Sequence, residues 1–143
     1  MIILDFDIYS ELDKLPHFNP DLDNENPPEK IQNLRSRIAK ADGLLICSPE
    51  YVFSLPGVLK NVIDWNVSSP VLINKRVGLI VAAASGQKAM ELLELLMNTV
   101  QADVIVKLII NGAKGKIGHD GTIHDNVTLT RINAFMHQFI CKI

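Results

Sequence analysis

Three short, largely apolar runs, residues 44–47, 77–84 and 104–110, recur along the chain with a helix-length interval between each pair. A bounded apolar run of this kind fits a strand covered on both faces, and such strands belong to parallel sheets whose crossovers are helices. The intervals agree with that reading. Asn26, Pro27, Pro28 and Glu29 give a helix start, after which Ile31, Leu34, Ile38 and Ala41 repeat at helical spacing until Asp42 and Gly43. Ser54, Leu55, Pro56 and Gly57 open a second helix carrying Val58, Leu59, Val62 and Ile63, with Trp65 at its end. Ser85 and Gly86 turn into a third, with Ala89, Leu92, Leu93, Leu96 and Val100 on one side. Leu129, Ile132, Phe135, Met136 and Phe139 make a fourth. Residues 2–9 alternate apolar side chains with Asp5 and Asp7, the period of a strand with one wet face, and complete a β, α, β, α, β, α, β, α order. The expected fold is a parallel sheet covered by helices on both faces, and ligands then belong at the carboxyl ends of the strands. That places a site in the loops 48–56, 84–87 and 111–120.

Composition removes several alternatives. With 48% hydrophobic residues, the 143-residue chain is expected to form one domain over residues 1–143 rather than a disordered segment. A net charge of -2 without a basic cluster argues against a nucleic-acid partner. No apolar run approaches the roughly 20 residues of a membrane-spanning helix, so no membrane partner is expected. The start, Met1 to Leu4 followed by Asp5, lacks the basic region of a secretory leader, and Cys47 and Cys141 stand apart without metal-ligand spacing. Reduced thiols and a cytoplasmic location follow as expectations. Cys47, in an apolar strand, reads as a packed thiol. His17, His119, His124 and His137 are scattered, so no metal site is expected.

The most specific stretch is Ser48-Pro49-Glu50-Tyr51-Val52-Phe53-Ser54-Leu55-Pro56-Gly57-Val58-Leu59-Lys60-Asn61-Val62-Ile63-Asp64-Trp65. It resembles the signature of the NADPH-dependent FMN reductase family, in which a strand ends in Pro-Glu-Tyr, followed by Pro-Gly, Leu-Lys-Asn and Asp-Trp. The loop Leu15-Pro16-His17-Phe18-Asn19-Pro20-Asp21-Leu22, the residues Ala41-Asp42-Gly43, the turn Ser85-Gly86 and the pair Asp120-Gly121 are similar to that family as well. The resemblance implies a flavodoxin-like, doubly wound three-layer fold. It also implies FMN and NADPH as cofactors, and a small-molecule electron acceptor such as free flavin, a quinone or an azo compound. It implies a homo-oligomer, dimer or tetramer, through the helix of residues 60–65, with Lys60, Asn61, Asp64 and Trp65 on the shared face. Cofactor contact carries over onto Pro49, Glu50, Tyr51, Val52, Phe53, Ser85 and Gly86. The chemistry of a flavin suits those residue types: a flat amphipathic ring needs an aromatic or apolar wall, for which Tyr51 is the stacking candidate, and unpaired backbone amides for its pyrimidine edge. No catalytic side chain is expected, because hydride transfer between nicotinamide and flavin is carried by the cofactors.

The sequence departs from the family in two places. Many members have Asn after Pro-Glu-Tyr where this chain has Val52 and Phe53, which removes one side-chain hydrogen bond to the cofactor. The family also opens with an apolar strand and a Gly-Ser-rich phosphate loop, whereas residues 2–9 correspond to its second strand. The resemblance therefore implies an N-terminally truncated version with four strands and four helices. In the strand order 2-1-3-4-5 the strand without a counterpart is the central one, and the FMN phosphate belongs at the helix start after it. The glycine-rich loop 111–118 lacks the Gly-Lys-Ser/Thr spacing of a phosphate loop. Two function classes follow: a flavin oxidoreductase, or a flavin-free remnant with a structural or oligomerisation role. An electron carrier of the flavodoxin kind is a third, set back by the Pro-Glu-Tyr and Leu-Lys-Asn segments that flavodoxins lack.

Overall fold

In the computed structural model, which describes residues 4–143, helix α1 (Glu29–Lys40) precedes the first strand, β1 (Gly43–Ser48). Helix α2 (Gly57–Trp65), strand β2 (Arg76–Ala83), helix α3 (Gln87–Thr99), strand β3 (Asp103–Asn111) and helix α4 (Asn126–Ile140) follow. The three strands form one parallel sheet in the order β1-β2-β3, with Leu44 opposite Val77 and Cys47 opposite Ile80. The register between β2 and β3 shifts once, between Val77 and Gly78.

Alternation along β2 divides the core between the two faces of the sheet. Val77, Leu79 and Val81 point to the face covered by α2, through Leu59 and Ile63, and by α3, through Ala89, Met90, Leu93 and Met97. Ile80 points to the opposite face with Leu108, Ile110 and Phe135 of α4. There Gly78 lets two aromatic rings lie close to the sheet: a Cβ at that position would sit 2.9 Å from the Phe139 ring and 3.0 Å from the Phe135 ring. A third cluster joins Ile31, Leu34 and Ile38 of α1 to Trp65, Leu72 and Leu15. Helices thus lie on both faces, giving three layers as expected.

Among the described residues the strand count is three rather than four. Residues 4–9 form no strand, and Ile2 and Ile3 lie outside the described residues. A period of two does not encode whether a neighbouring strand exists, and here the segment meets α1 instead. Arg37 of α1 donates to the Asp7 carboxylate, with its Nε 2.7 Å from Oδ2, and its guanidinium lies 4.6 Å from the centre of the Tyr9 ring. The segment lies against α1, with Leu4, Phe6 and Ile8 exposed. Among the described residues the outer edge of β1 has no neighbour. That overturns the expectation of a packed Cys47: the residue is exposed, because α4 covers the sheet over β2 and β3 and, among the described residues, no strand flanks the outer edge of β1. The sheet behind it still desolvates the thiol and pushes its pKa above the ordinary range, so Cys47 remains a poor thiolate at neutral pH.

Candidate functional site

The strand ends bring the three expected loops to one rim. Beyond Ser48 the chain makes a two-residue turn in which the Tyr51 amide donates to the Ser54 carbonyl and the Ser54 amide donates to the Tyr51 carbonyl, both at 2.9 Å. The central residues, Val52 and Phe53, have φ of 52° and 55°. Two positive φ values suit a primed turn, where Asn and Gly are the usual occupants. A β-branched Val and a Phe hold this conformation at a cost of roughly 1–3 kcal/mol each. Burial does not offset that strain, since Tyr51, Val52 and Phe53 are 60%, 97% and 74% exposed. An apolar, strained turn standing in water is a poor structural element and a suitable wall for a flat ligand.

The second loop follows β2. Gly86 has φ of 86° and caps α3 without a side chain. A Cβ there would also meet Ile109 at 3.0 Å and Val81 at 3.1 Å, so glycine is required by conformation and by space. Glu50 connects the first loop to the second: its Oε1 accepts the Gly86 amide hydrogen at 3.1 Å and its Oε2 accepts that of Ala89 at 3.0 Å. The third loop is joined to the second by the Gly112 amide, which donates to the Ala84 carbonyl at 3.1 Å. All seven residues assigned from the sequence therefore lie on the two adjacent loops that Glu50 links. Pro49 bridges the strand to the turn, and its carbonyl accepts from the Ser48 hydroxyl at 2.8 Å.

The rim fits one end of FMN and not the other. Among the described residues nothing accepts the amide hydrogens of Val52, Phe53 and Ser85, which leaves donors beside an apolar wall, as the ring of a flavin needs. A phosphate needs a helix start with free amides. At α3 the Gly86 and Ala89 amides serve the Glu50 carboxylate, whose charge opposes an anion, and at α4 the Thr128 amide serves Asp125 at 2.8 Å. Two cavities, of about 280 and 180 Å³, lie away from the rim, the first lined by Asp42, Asn74 and Arg76, the second by Ser68, Pro70 and Gln101. The candidate site is therefore an open edge rather than an enclosed pocket.

Part of the signature has an internal task that the sequence reading did not foresee. Trp65 is 0% exposed, and its indole N–H donates to the Pro16 carbonyl at 2.8 Å. Asn61 donates to the same carbonyl at 3.0 Å and accepts the Phe18 amide at 2.7 Å, while the Phe18 ring stands edge-on to Trp65 at 5.1 Å. These two residues cannot form the outward face expected of them. Lys60 and Asp64 do lie outward, paired at 2.6 Å one helical turn apart. The detectable signal was Trp65 itself, because a buried indole N–H requires an acceptor.

The sequence model of the family described as NADPH-dependent FMN reductase matches residues 4–113. An NADPH azoreductase from Bacillus sp. (strain OY1-2) is 30% identical over 134 residues, 87% of this chain and 73% of that protein. A 2-hydroxy-1,4-benzoquinone reductase from Burkholderia sp is 46% identical over 57 residues, which span 40% of this chain and 31% of that protein. The matched stretch thus spans less than a third of the Burkholderia relative. Among solved structures, FerB, a flavoenzyme NAD(P)H:(acceptor) oxidoreductase from Paracoccus denitrificans, superposes with a TM-score of 0.71 at 24% identity, covering 91% of this chain and 75% of that one. That likeness places the three-layer α/β arrangement among flavodoxin-like folds. The signature from Pro49 to Trp65, the rim it builds and a family match over most of the chain lead to one conclusion: this protein belongs to the NADPH-dependent FMN reductase family.

Proposed function

We propose that the chain is an NAD(P)H-dependent flavin oxidoreductase whose FMN ring lies across the loops after β1 and β2. The observation that carries this reading is the exposed, strained turn at Val52 and Phe53, set beside free amides on adjacent strand ends. Bound FMN supplies the redox chemistry, taking reducing equivalents from NADPH for a small acceptor such as a quinone, an azo compound or free flavin. The protein's part is positional. Tyr51, Val52 and Phe53 exclude water from one side of the ring. The amides of Val52, Phe53 and Ser85 donate to its polar edge, Gly86 permits close approach, and Pro49 with the backbone of Glu50 sets the loop's direction. Glu50 itself donates no proton, since both its oxygens are engaged.

The proposed chain acts as one unit over residues 1–143, in the cytoplasm, with Cys47 and Cys141 as free thiols. Among the described residues no helix is long and apolar enough to cross a membrane. A dimer or tetramer would use the outward side of α2, where Val58, Lys60 and Asp64 lie. Sedimentation at two concentrations tests that assembly.

A second reading, a flavin-free chain with a structural role, is favoured by the occupied amides at the start of α3. The deciding experiment is the visible absorbance of the purified chain before and after FMN is added and the excess removed, followed by NADPH consumption with a quinone. A retained flavin band with steady turnover supports the enzyme. A folded chain without flavin supports the second reading, and flavin without NADPH consumption points to an electron carrier.

A further inference from the structure

Glu50 lies in the loop assigned to the cofactor, yet its side chain is directed at another element. The first amides of a helix have no partner within it, and Gly86, the N-cap of α3, has no side chain to serve them. A carboxylate from the neighbouring strand's loop does the capping instead, with a full negative charge at the positive end of the helix. The ladder between β1 and β2 ends at the Ser48 and Val81 pair, so the turns beyond it are not held by sheet hydrogen bonds. Past that point, and among the described residues, the Glu50 carboxylate makes the only hydrogen bonds between the loop after β1 and the start of α3.

We infer that Glu50 is a positioning residue: it fixes the Ser85 and Gly86 turn against the Tyr51 to Phe53 turn and cancels the positive end of α3. The inference rests on the reading of these loops as a flavin-ring site and specifies how that site is held. A ring touching both turns needs their spacing fixed to a fraction of an ångström, and two loops on separate strands do not supply that without a link. The charge adds a second consequence. A carboxylate beside the ring opposes the arrival of electrons there, so its removal moves affinity and potential in different ways.

The test compares wild type, Glu50→Gln and Glu50→Ala. Amide exchange is followed by NMR in the ligand-free chain, FMN affinity by fluorescence quenching, and the midpoint potential on the bound flavin. Glu50→Gln preserves size and one acceptor oxygen, which keeps the fold intact. The Gly86 and Ala89 amides should exchange about tenfold faster in Glu50→Gln and faster still in Glu50→Ala, as expected for loss of charge-assisted hydrogen bonds, while Leu93 in the core of α3 stays protected. FMN affinity should fall several-fold in Glu50→Gln and further in Glu50→Ala, and the potential should become less negative in Glu50→Gln. A merely structural role weakens binding without moving the potential. Unchanged exchange at both amides overturns the clamp. Faster exchange with affinity and potential both unmoved overturns its role at the site. A wild-type chain that binds no flavin overturns the functional reading and with it the role at the site, and amide exchange then judges the clamp alone.

Discussion

Replacing Val52 and Phe53 with Asn and Gly should stabilise the protein and weaken its hold on flavin in one step, because the apolar wall lost with both side chains outweighs the one hydrogen bond that Asn returns. Both residues have φ in the left-handed region, 52° and 55°, and the Asn-Gly pair is the preferred occupant of such a turn. Relief of strain at the low end of the usual range is about 1 kcal/mol per residue, or about 2 kcal/mol together. The opposing loss is small. Val52 is almost wholly in water, and only about a quarter of Phe53 is covered, which at about 2 kcal/mol for full burial gives about 0.5 kcal/mol. The net gain of about 1.5 kcal/mol corresponds to a rise in Tm of about 5 °C for a chain of this size. Circular dichroism melts read the first effect, and fluorescence titration with FMN reads the second. A Tm that is unchanged or lower would show that the turn is not strained. A higher Tm with unaltered flavin affinity would remove the turn from the cofactor wall.

Two further perturbations probe the framework around the site. Trp65→Phe keeps the apolar packing against Phe18 but removes the indole donor to the Pro16 carbonyl. Chemical denaturation should show a loss of about 1 kcal/mol, and a loss near zero would mean that Asn61 alone satisfies that carbonyl. At the start of α4, hydrogen bonds from the Thr128 hydroxyl and amide hold the Asp125 carboxyl below the usual aspartate range. Its stabilising effect is therefore complete above the unfolded value, about 3.9, and fades as pH falls through the lower folded value. Asp125→Ala should flatten the acid side of a stability profile measured below about pH 4, and a profile of unchanged slope would count against the cap.

The strands were readable because a strand covered by helices is mostly apolar, with Lys107 of the outer strand β3 as the exposed exception: the runs 44–47 and 104–110 lie within Gly43–Ser48 and Asp103–Asn111, and 77–84 is displaced by one residue from Arg76–Ala83. Residues 4–9 were misread because a period of two reports which faces a strand would have and not whether a neighbour exists. Asp7 is 30 positions from Arg37, and no local pattern announces that pairing. Cys47 fails for a related reason, since apolar composition describes both faces of a strand and says nothing of its edge. The rim was legible in its location, at the strand ends, and in its residue types. The task of Glu50 was not, because capping normally comes from the residue before the helix, and here that residue is Gly86. Asn61 and Trp65 share a helix face by their spacing, but whether that face looks inward depends on Pro16, 45 and 49 positions away.

The split between a rim that suits the ring and a start of α3 whose Gly86 and Ala89 amides already serve a carboxylate has a measurable consequence. A phosphate seated on free helix amides gains charge-assisted hydrogen bonds worth about 1.5–3 kcal/mol each, so a chain with such a seat prefers FMN to riboflavin by at least about tenfold. Here the amides of Gly86 and Ala89 are turned toward Glu50, and the carboxylate repels a second anion brought to the same helix end. Binding must then come from the wall at Tyr51, Val52 and Phe53 and from the amides beside it, which riboflavin and FMN meet alike. The 143-residue chain should therefore bind the two flavins with affinities within about threefold of one another, and raising the salt concentration should change neither greatly. A strong preference for FMN that weakens with salt would mean that a phosphate seat exists which these helix starts do not account for. It would also separate the two ends of the cofactor experimentally, because Glu50→Gln, by freeing one helix amide and removing a charge, should raise the FMN to riboflavin affinity ratio even as it loosens the ring.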